Sequence, residues 1–324
     1  MNKTFPKITI AITSCNRFYY LKSLITSLKQ FSLYPNLEWI IVDNGSTEPG
    51  LIEYLKSLYF LNKLILNKKR TPIIEEYIAR NQILKNSTGE YIWWIQDDCQ
   101  LILPGAHLES SMLAFKQNPE LIQIFYEAVR RKTVENKYKD SIQKNINGTR
   151  FLFTENTHFH TLGISRMSTF KKIGLYKENI YSWGAGEDDY SKRIREHFPR
   201  YFQAYPHIPS ICTINNEPNG SYAFIRGNYR YGHYIPPQKG ILYFDTLTKE
   251  EIGNLNKIDK SPMSIVDIAK PINWELKINS DGDEIKYSQK EAVKKWPKTK
   301  LNSKFTLLGK ITNIPLYSYI ARQF

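Results

Sequence analysis

The sequence predicts an α/β fold in which a mostly parallel central sheet carries helices on both faces, followed by a C-terminal extension. Three observations carry this prediction. Short β-branched runs alternate with helical apolar patterns through roughly the first hundred residues, each run ends in a polar cluster, and the periodicity fades into a Lys-rich stretch from about Gly240. Strands that alternate with helices in this way form βαβ units, whose parallel strands need helical crossovers.

Residues 8–13, ITIAIT, read as a buried strand that ends at Ser14-Cys15-Asn16-Arg17. Leu21, Leu24, Ile25 and Leu28 then recur at i, i+3, i+4 and i+7, the stripe of an amphipathic helix. A second strand, residues 38–42 (EWIIV), stops at Asp43-Asn44-Gly45-Ser46-Thr47, and a helical pattern follows from Leu51 to about Tyr59. A third strand is expected over 63–66, a helix from about Ile73 to Leu84, and a fourth strand over 91–95, ending at Gln96-Asp97-Asp98. In such sheets ligands bind beyond the carboxyl ends of the strands, so the three polar clusters should converge on one rim. Beyond residue 105 the expectations are a helix over 108–117, a strand over 121–128 and an exposed polar excursion over 130–150. Structure should resume near His158. Residues 1–239 are taken as one domain, with a first half to residue 105 and a second half from 106, and residues 240–324 as the extension.

Bulk composition narrows the function classes. With 41% hydrophobic residues the chain is globular, and 45 Lys and Arg against 31 Asp and Glu give a net charge of +14. That excess suits an acidic ligand, an anionic membrane surface or only a solvated face. Cys15, Cys99 and Cys212 are odd in number and far apart, which points to neither a disulfide framework nor a zinc site. The N-terminus lacks an apolar signal core, and no window offers ~18 uninterrupted apolar residues, so a cytoplasmic protein is expected. Neither GxGxxG nor GxxxxGK[ST] follows a predicted strand, which argues against a dinucleotide enzyme and a P-loop NTPase.

Four stretches, ITSCNRFYYLKSLITSL, WIIVDNGST, ARNQILKNSTGEYIWWIQDD and WGAGEDD, occur in this order. Together they resemble the inverting nucleotide-sugar glycosyltransferases of the GT-A fold, the large family-2 type. The resemblance covers about residues 7–105 closely and 157–234 more loosely.

It implies that Asp43 contacts the nucleotide base, that Thr13, Ser14 and Arg17 enclose the nucleoside, and that Arg80 and Asn81 lie near the ribose and diphosphate. It also implies that Asp98, with Asp97 second, binds Mn²⁺ or Mg²⁺. Carboxylates suit such hard cations. Here Gln96 stands where the family's first acidic residue is expected.

Asp188 matches the general base, with Glu187 beside it on acceptor or donor hydroxyls and Asp189 as a helix cap. Trp183 would stack on a sugar ring, and Gly186 would let the backbone approach the acceptor. His207 and His233 are further metal-ligand candidates, and Arg226, Asn228 and Arg230 resemble a phosphate-contacting segment of rhamnosyltransferase-like relatives. The expected partners are a nucleotide sugar, most readily UDP-linked, and a glycan or lipid-linked glycan acceptor, with no nucleic acid. The tail from Lys294 to Phe324 is basic and amphipathic. It is expected to pack on the domain or, alternatively, to touch anionic lipid at the inner face of a membrane. Two other readings compete: a nucleotidyltransferase, which normally needs a glycine-rich loop after the first strand, and a non-catalytic glycan- or polyanion-binding protein.

Overall fold

The computed structural model describes residues 5–71, 74–126, 141–155, 163–179, 185–213, 242 and 244–258. Its first half follows the predicted alternation: β1 (Ile8–Ser14), α1 (Phe18–Phe31), β2 (Leu37–Asp43), α2 (Leu51–Ser57), β3 (Lys63–Leu66), α3 (Glu75–Asn86) and β4 (Tyr91–Gln96). The second half adds β5 (Cys99–Leu101), α4 (Leu108–Gln117), β6 (Leu121–Ile124), β7 (Ile142–Ile146), β8 (Thr149–Glu155), β9 (Gly163–Arg166), α5 (Met167–Ile173), α6 (Ala185–His197), β10 (Phe202–Pro206), β11 (Ile211–Thr213) and α7 (Lys249–Lys257).

Among the described residues nine strands form one sheet in the order β3-β2-β1-β4-β9-β6-β10-β8-β7, while β5 and β11 pair separately. The strands β3, β2, β1 and β4 are parallel, and β9 enters antiparallel between β4 and β6. The sheet is therefore mixed but mostly parallel where the polar clusters lie.

Strand alternation divides the core into two layers. Ile8, Ile10 and Ile12 of β1 and Trp93 and Ile95 of β4 face a layer with Leu21, Leu24 and Leu28 of α1 and Leu108 and Phe115 of α4. Ala11 and the neighbouring Ile40, Val42, Ile92 and Trp94 face the other layer, with Tyr77 and Ile83 of α3, Phe170 of α5 and Tyr190 and Ile194 of α6. Both faces of the parallel part are thus covered, as its nearly continuous apolar strands require.

Below the sheet, at the amino ends of the strands, Glu38 is a buried acid with a local cage. It accepts from Thr9 Oγ1 (2.6 Å), Thr88 Oγ1 (2.6 Å) and the Thr88 N–H (2.9 Å). Burial by itself raises its carboxyl, but these hydrogen bonds outweigh burial and hold it below the ordinary range. This cage locks β1, β2 and the turn before β4 together on the side away from the polar rim.

Two sequence expectations change. The segment expected as an excursion over 130–150 includes a β-hairpin, because β7 and β8 pair antiparallel with Ile146 opposite Thr149. Between them Asn147 (φ 49°) and Gly148 (φ 77°) both adopt left-handed backbone, the Asn-Gly signature of a two-residue hairpin turn. The strand expected over 121–128 ends at Ile124.

Residues after 240 also carry structure. Gln100 bonds the backbone of Phe244 in both directions, at 2.7 and 3.1 Å, and the Leu247 N–H donates to the Ile102 carbonyl at 2.7 Å. Thr248 then opens α7 with a capping box to Glu251. Among the described residues no helix is long and apolar enough to cross a membrane.

Candidate functional site

The register of the parallel strands sets the rim. Ser14 ends β1 opposite Asp43 at the end of β2, and Thr13 lies opposite Gln96 at the end of β4. The three polar clusters therefore meet, as the sequence predicts.

Their loops are tied into one unit. Asn16, at φ 50°, accepts from the Thr47 and Glu48 N–H groups at 2.7 and 3.0 Å, and its own N–H donates to Ser46 Oγ at 2.8 Å. Glu48 in turn accepts from the Phe18 N–H at 2.8 Å, which supplies a partner for the first turn of α1. The Asn44 N–H reaches the Ser14 carbonyl at 2.8 Å. Polar turn residues here stitch the β1–α1 and β2–α2 loops across two strand ends.

Asp43 has no solvent-accessible surface. Its Oδ1 accepts from the Ser46 N–H at 2.8 Å, and its Oδ2 accepts from the Ser46 hydroxyl. Burial raises its carboxyl above the ordinary range, partly offset by those bonds and by Arg70. In this conformation Asp43 organises the loop.

Arg70 is a rim residue that the sequence reading missed. It forks onto Glu75, with Nε 3.1 Å from Oε2, and its charge acts on both Asp43 and Cys15. The signal was present in Lys68-Lys69-Arg70, which lies one residue beyond the end of β3 at the same rim. Burial, partly offset by Arg70, pushes the Cys15 thiol up to about 12, so it stays protonated at neutral pH.

Gln96 leads into two buried aspartates. Arg17 Nη1 lies 2.5 Å from Asp97 Oδ1 and 3.4 Å from Asp98 Oδ2. Arg17 was expected beside a nucleoside; the structure places it on the acid pair. Two adjacent carboxylates at a strand end are an oxygen donor set suited to Mg²⁺ or Mn²⁺. Among the described residues, no group of three or more His, Cys, Asp or Glu side chains gathers to hold a metal ion.

The second acidic segment opens α6. Glu187 and Asp188 lie in its first turn, Glu187 half-buried and Asp188 exposed. Asp189 joins Lys177 (2.7 Å) and Arg193 (2.9 Å), which makes it a helix anchor.

Helix α3 holds this segment in place through residues expected elsewhere. Arg80, predicted to lie near the diphosphate, is buried. It pairs with Glu76 at 2.5 Å, and its guanidinium lies 5.0 Å from the Trp94 ring centroid and 5.8 Å from that of Tyr176. Glu187 and Arg80 are close enough to interact electrostatically. Asn81 is likewise buried: its amide donates to the Tyr176 carbonyl (2.8 Å) and Glu178 Oε1 (2.7 Å), and its Oδ1 accepts from the Tyr176 N–H (2.8 Å). Arg80 thus packs on Tyr176 while hydrogen-bonding Glu76 of its own helix, and the hydrogen bonds of Asn81 to Tyr176 and Glu178 fix the segment before α6. Tyr176 stacks on Tyr190 of α6 at 4.0 Å between centroids.

Gly186 also has a different neighbour from the one expected. Its N–H donates to the Tyr77 hydroxyl at 3.1 Å, and a Cβ built on it would stand 2.3 Å from Tyr77 Cζ. The glycine admits the tyrosine ring of α3 rather than an acceptor sugar. Gly186→Ala is expected to destabilise the fold by about 1–3 kcal/mol through this overlap. Denaturant melts check this, and Gly186→Ala should cost less in a Tyr77→Ser background than in wild type, because the overlap is then gone.

His207 is not placed as a metal ligand. It is buried, with Nε2 3.1 Å from the Leu255 carbonyl, so that nitrogen carries the proton and helps to seat α7. Trp183, Arg226, Asn228, Arg230, His233 and the tail from Lys294 lie outside the described residues.

Comparison with known proteins adds the following. Residues 9–174 match the family model described as "Glycosyl transferase family 2". The uncharacterized protein y4gI of Sinorhizobium fredii (strain NBRC 101917 / NGR234) is 25% identical over 114 residues, which cover 35% of this chain and 12% of that protein. The chain thus spans about an eighth of the length of the curated relative it matches. Among solved structures, S. aureus TarS residues 1–349 align over 68% of this chain and 63% of theirs, at 17% identity and a TM-score of 0.49. The mannosyltransferase PcManGT from Pyrobaculum calidifontis, in complex with GDP-Man and Mn²⁺, aligns over 99% of this chain and 84% of its own, at 13% identity and a TM-score of 0.49.

Proposed function

The chain belongs to glycosyl transferase family 2, and on that premise we propose that it moves a sugar from a nucleoside diphosphate donor to a hydroxyl of a glycan or lipid-linked glycan. The observation that carries this reading is the meeting of the three polar clusters at one parallel rim, with a buried acid pair beyond the end of β4. The donor's base would lie by Asp43 and Arg70, with uracil the first choice because a carboxylate accepts from its imide N–H. Thr13 and Ser14 would line the nucleoside. Among the described residues Ser14 Oγ is buried and has no hydrogen-bond partner, so a polar ligand atom would satisfy it.

Asp98, with Asp97, would hold Mn²⁺ or Mg²⁺, whose charge offsets that of the departing diphosphate. Asp188, exposed at the start of α6, would take the proton of the attacking hydroxyl, and Glu187 would bind hydroxyls beside it. Attack from the face opposite the leaving group inverts the anomeric centre. On this reading the reaction would run on the cytoplasmic side, where nucleotide sugars and a membrane-bound acceptor can meet, and the basic C-terminal region would contact the inner face of a membrane.

The test is proton NMR of the product formed from an α-linked UDP-sugar and a glycan acceptor. A β-anomeric product is the expected result. A retained α configuration would overturn the inverting mechanism, and no turnover across UDP- and GDP-sugars with a panel of glycan acceptors would count against transfer itself.

A further inference from the structure

The acid pair at the end of β4 already holds a cation. One guanidinium nitrogen of Arg17 lies within 3.4 Å of both carboxylates, and only 16% of the arginine side chain is exposed, against 6% and 3% for Asp97 and Asp98. Burial makes this contact consequential, because a desolvated charge that loses its partner is costly. A divalent ion entering alone would have to displace the guanidinium from two carboxylates.

The backbone that carries Arg17 is braced on both sides. Asn16 is held by the Thr47 and Glu48 N–H groups, and the Phe18 N–H is held by Glu48. Release of the guanidinium is thereby left to the side-chain torsions. A guanidinium fork fits phosphate oxygens as well as it fits carboxylate oxygens, so a diphosphate at this rim offers the displaced arginine a second anionic partner.

We infer that Arg17 competes with the divalent cation for Asp97 and Asp98, so that this chain binds the metal tightly only together with a nucleoside diphosphate that takes over the arginine. The inference rests on the donor-site reading above and adds to it an order of loading and a residue that enforces it.

Calorimetric or EPR titration of Mn²⁺ into the full chain tests this, on wild type, Arg17→Met and Arg17→Lys, with and without UDP or GDP. Without nucleotide, Arg17→Met should bind Mn²⁺ at least about tenfold more tightly than wild type, a difference of ~1.4 kcal/mol. Arg17→Lys, which keeps the charge, should stay near wild type. A saturating nucleotide should tighten Mn²⁺ binding to wild type by a similar factor, and to Arg17→Met by less. Equal or weaker Mn²⁺ binding by Arg17→Met overturns the inference. Wild type gives a second test that does not depend on any variant folding, because Mn²⁺ binding as tight without nucleotide as with it also overturns it. If neither UDP nor GDP binds any of the proteins, the donor reading fails, while the gain in Mn²⁺ affinity of Arg17→Met still decides whether the arginine competes.

Discussion

Replacing Asp188 with asparagine should lower the rate of sugar transfer by about 10²–10⁴-fold, the usual contribution of a positioned general base, while nucleotide binding and thermal stability stay close to wild type. The separation of these effects follows from the structure. Asp188 is exposed in the first turn of α6, whereas its neighbour Asp189 carries the ion pairs to Lys177 and Arg193 that anchor the helix. Asparagine keeps the size and a hydrogen-bonding oxygen but cannot accept a proton at neutral pH. Asp189→Asn should show the opposite pattern, lowering stability more than the chemical step. Steady-state kinetics and melts on the two variants check this, and a transfer rate unchanged in Asp188→Asn would remove the residue from the mechanism.

Asp98→Ala should weaken Mn²⁺-dependent nucleotide binding by about 100-fold, or ~2.7 kcal/mol at 1.36 kcal/mol per tenfold. Asp98 is buried at the carboxyl end of β4, and Arg17 lies closer to Asp97 than to Asp98. Removing Asp98 therefore leaves Arg17 still paired, which should preserve the fold while halving the carboxylates available to a cation. Titration of nucleotide with and without Mn²⁺ reads the effect. Binding equal to wild type in both conditions would show that Asp98 does not serve the donor site.

The sequence made the rim legible because two independent patterns coincide there. Buried β-branched runs mark β1, β2 and β4, and the residues that stop them, Ser14 to Arg17, Asp43 to Thr47 and Gln96 to Asp98, are the polar groups that meet in space. Parallel pairing then fixes which ends converge, so no side-chain detail was needed.

Helix α3 escaped the same logic. Its inward face carries Arg80 and Asn81 beside Tyr77 and Ile83, so hydrophobic periodicity cannot tell that these polar side chains point into the protein. Only the tertiary partners Tyr176 and Glu178 reveal that they hold the segment before α6, with Trp94 of β4 against the guanidinium of Arg80. The hairpin of β7 and β8 was hidden by polarity. Ile142, Lys144 and Ile146 alternate with Gln143 and Asn145 at a sheet edge, and Asn147-Gly148 was the local signal that outweighed the Lys- and Asn-rich composition. Arg70 was overlooked because a Lys-Lys-Arg run reads as solvated surface until the end of β3 is placed beside Asp43.

A polyanion-binding protein would also use the net charge of +14, but its affinity would fall steeply with salt and would be indifferent to a buried acid pair. The most direct measurement is therefore calorimetric titration of wild type with UDP, GDP and their sugar derivatives, with and without Mn²⁺. One nucleotide and its sugars should bind in the presence of Mn²⁺, with an affinity that drops without the metal. If no nucleotide binds under either condition, the donor site at the ends of β1, β2 and β4 is contradicted.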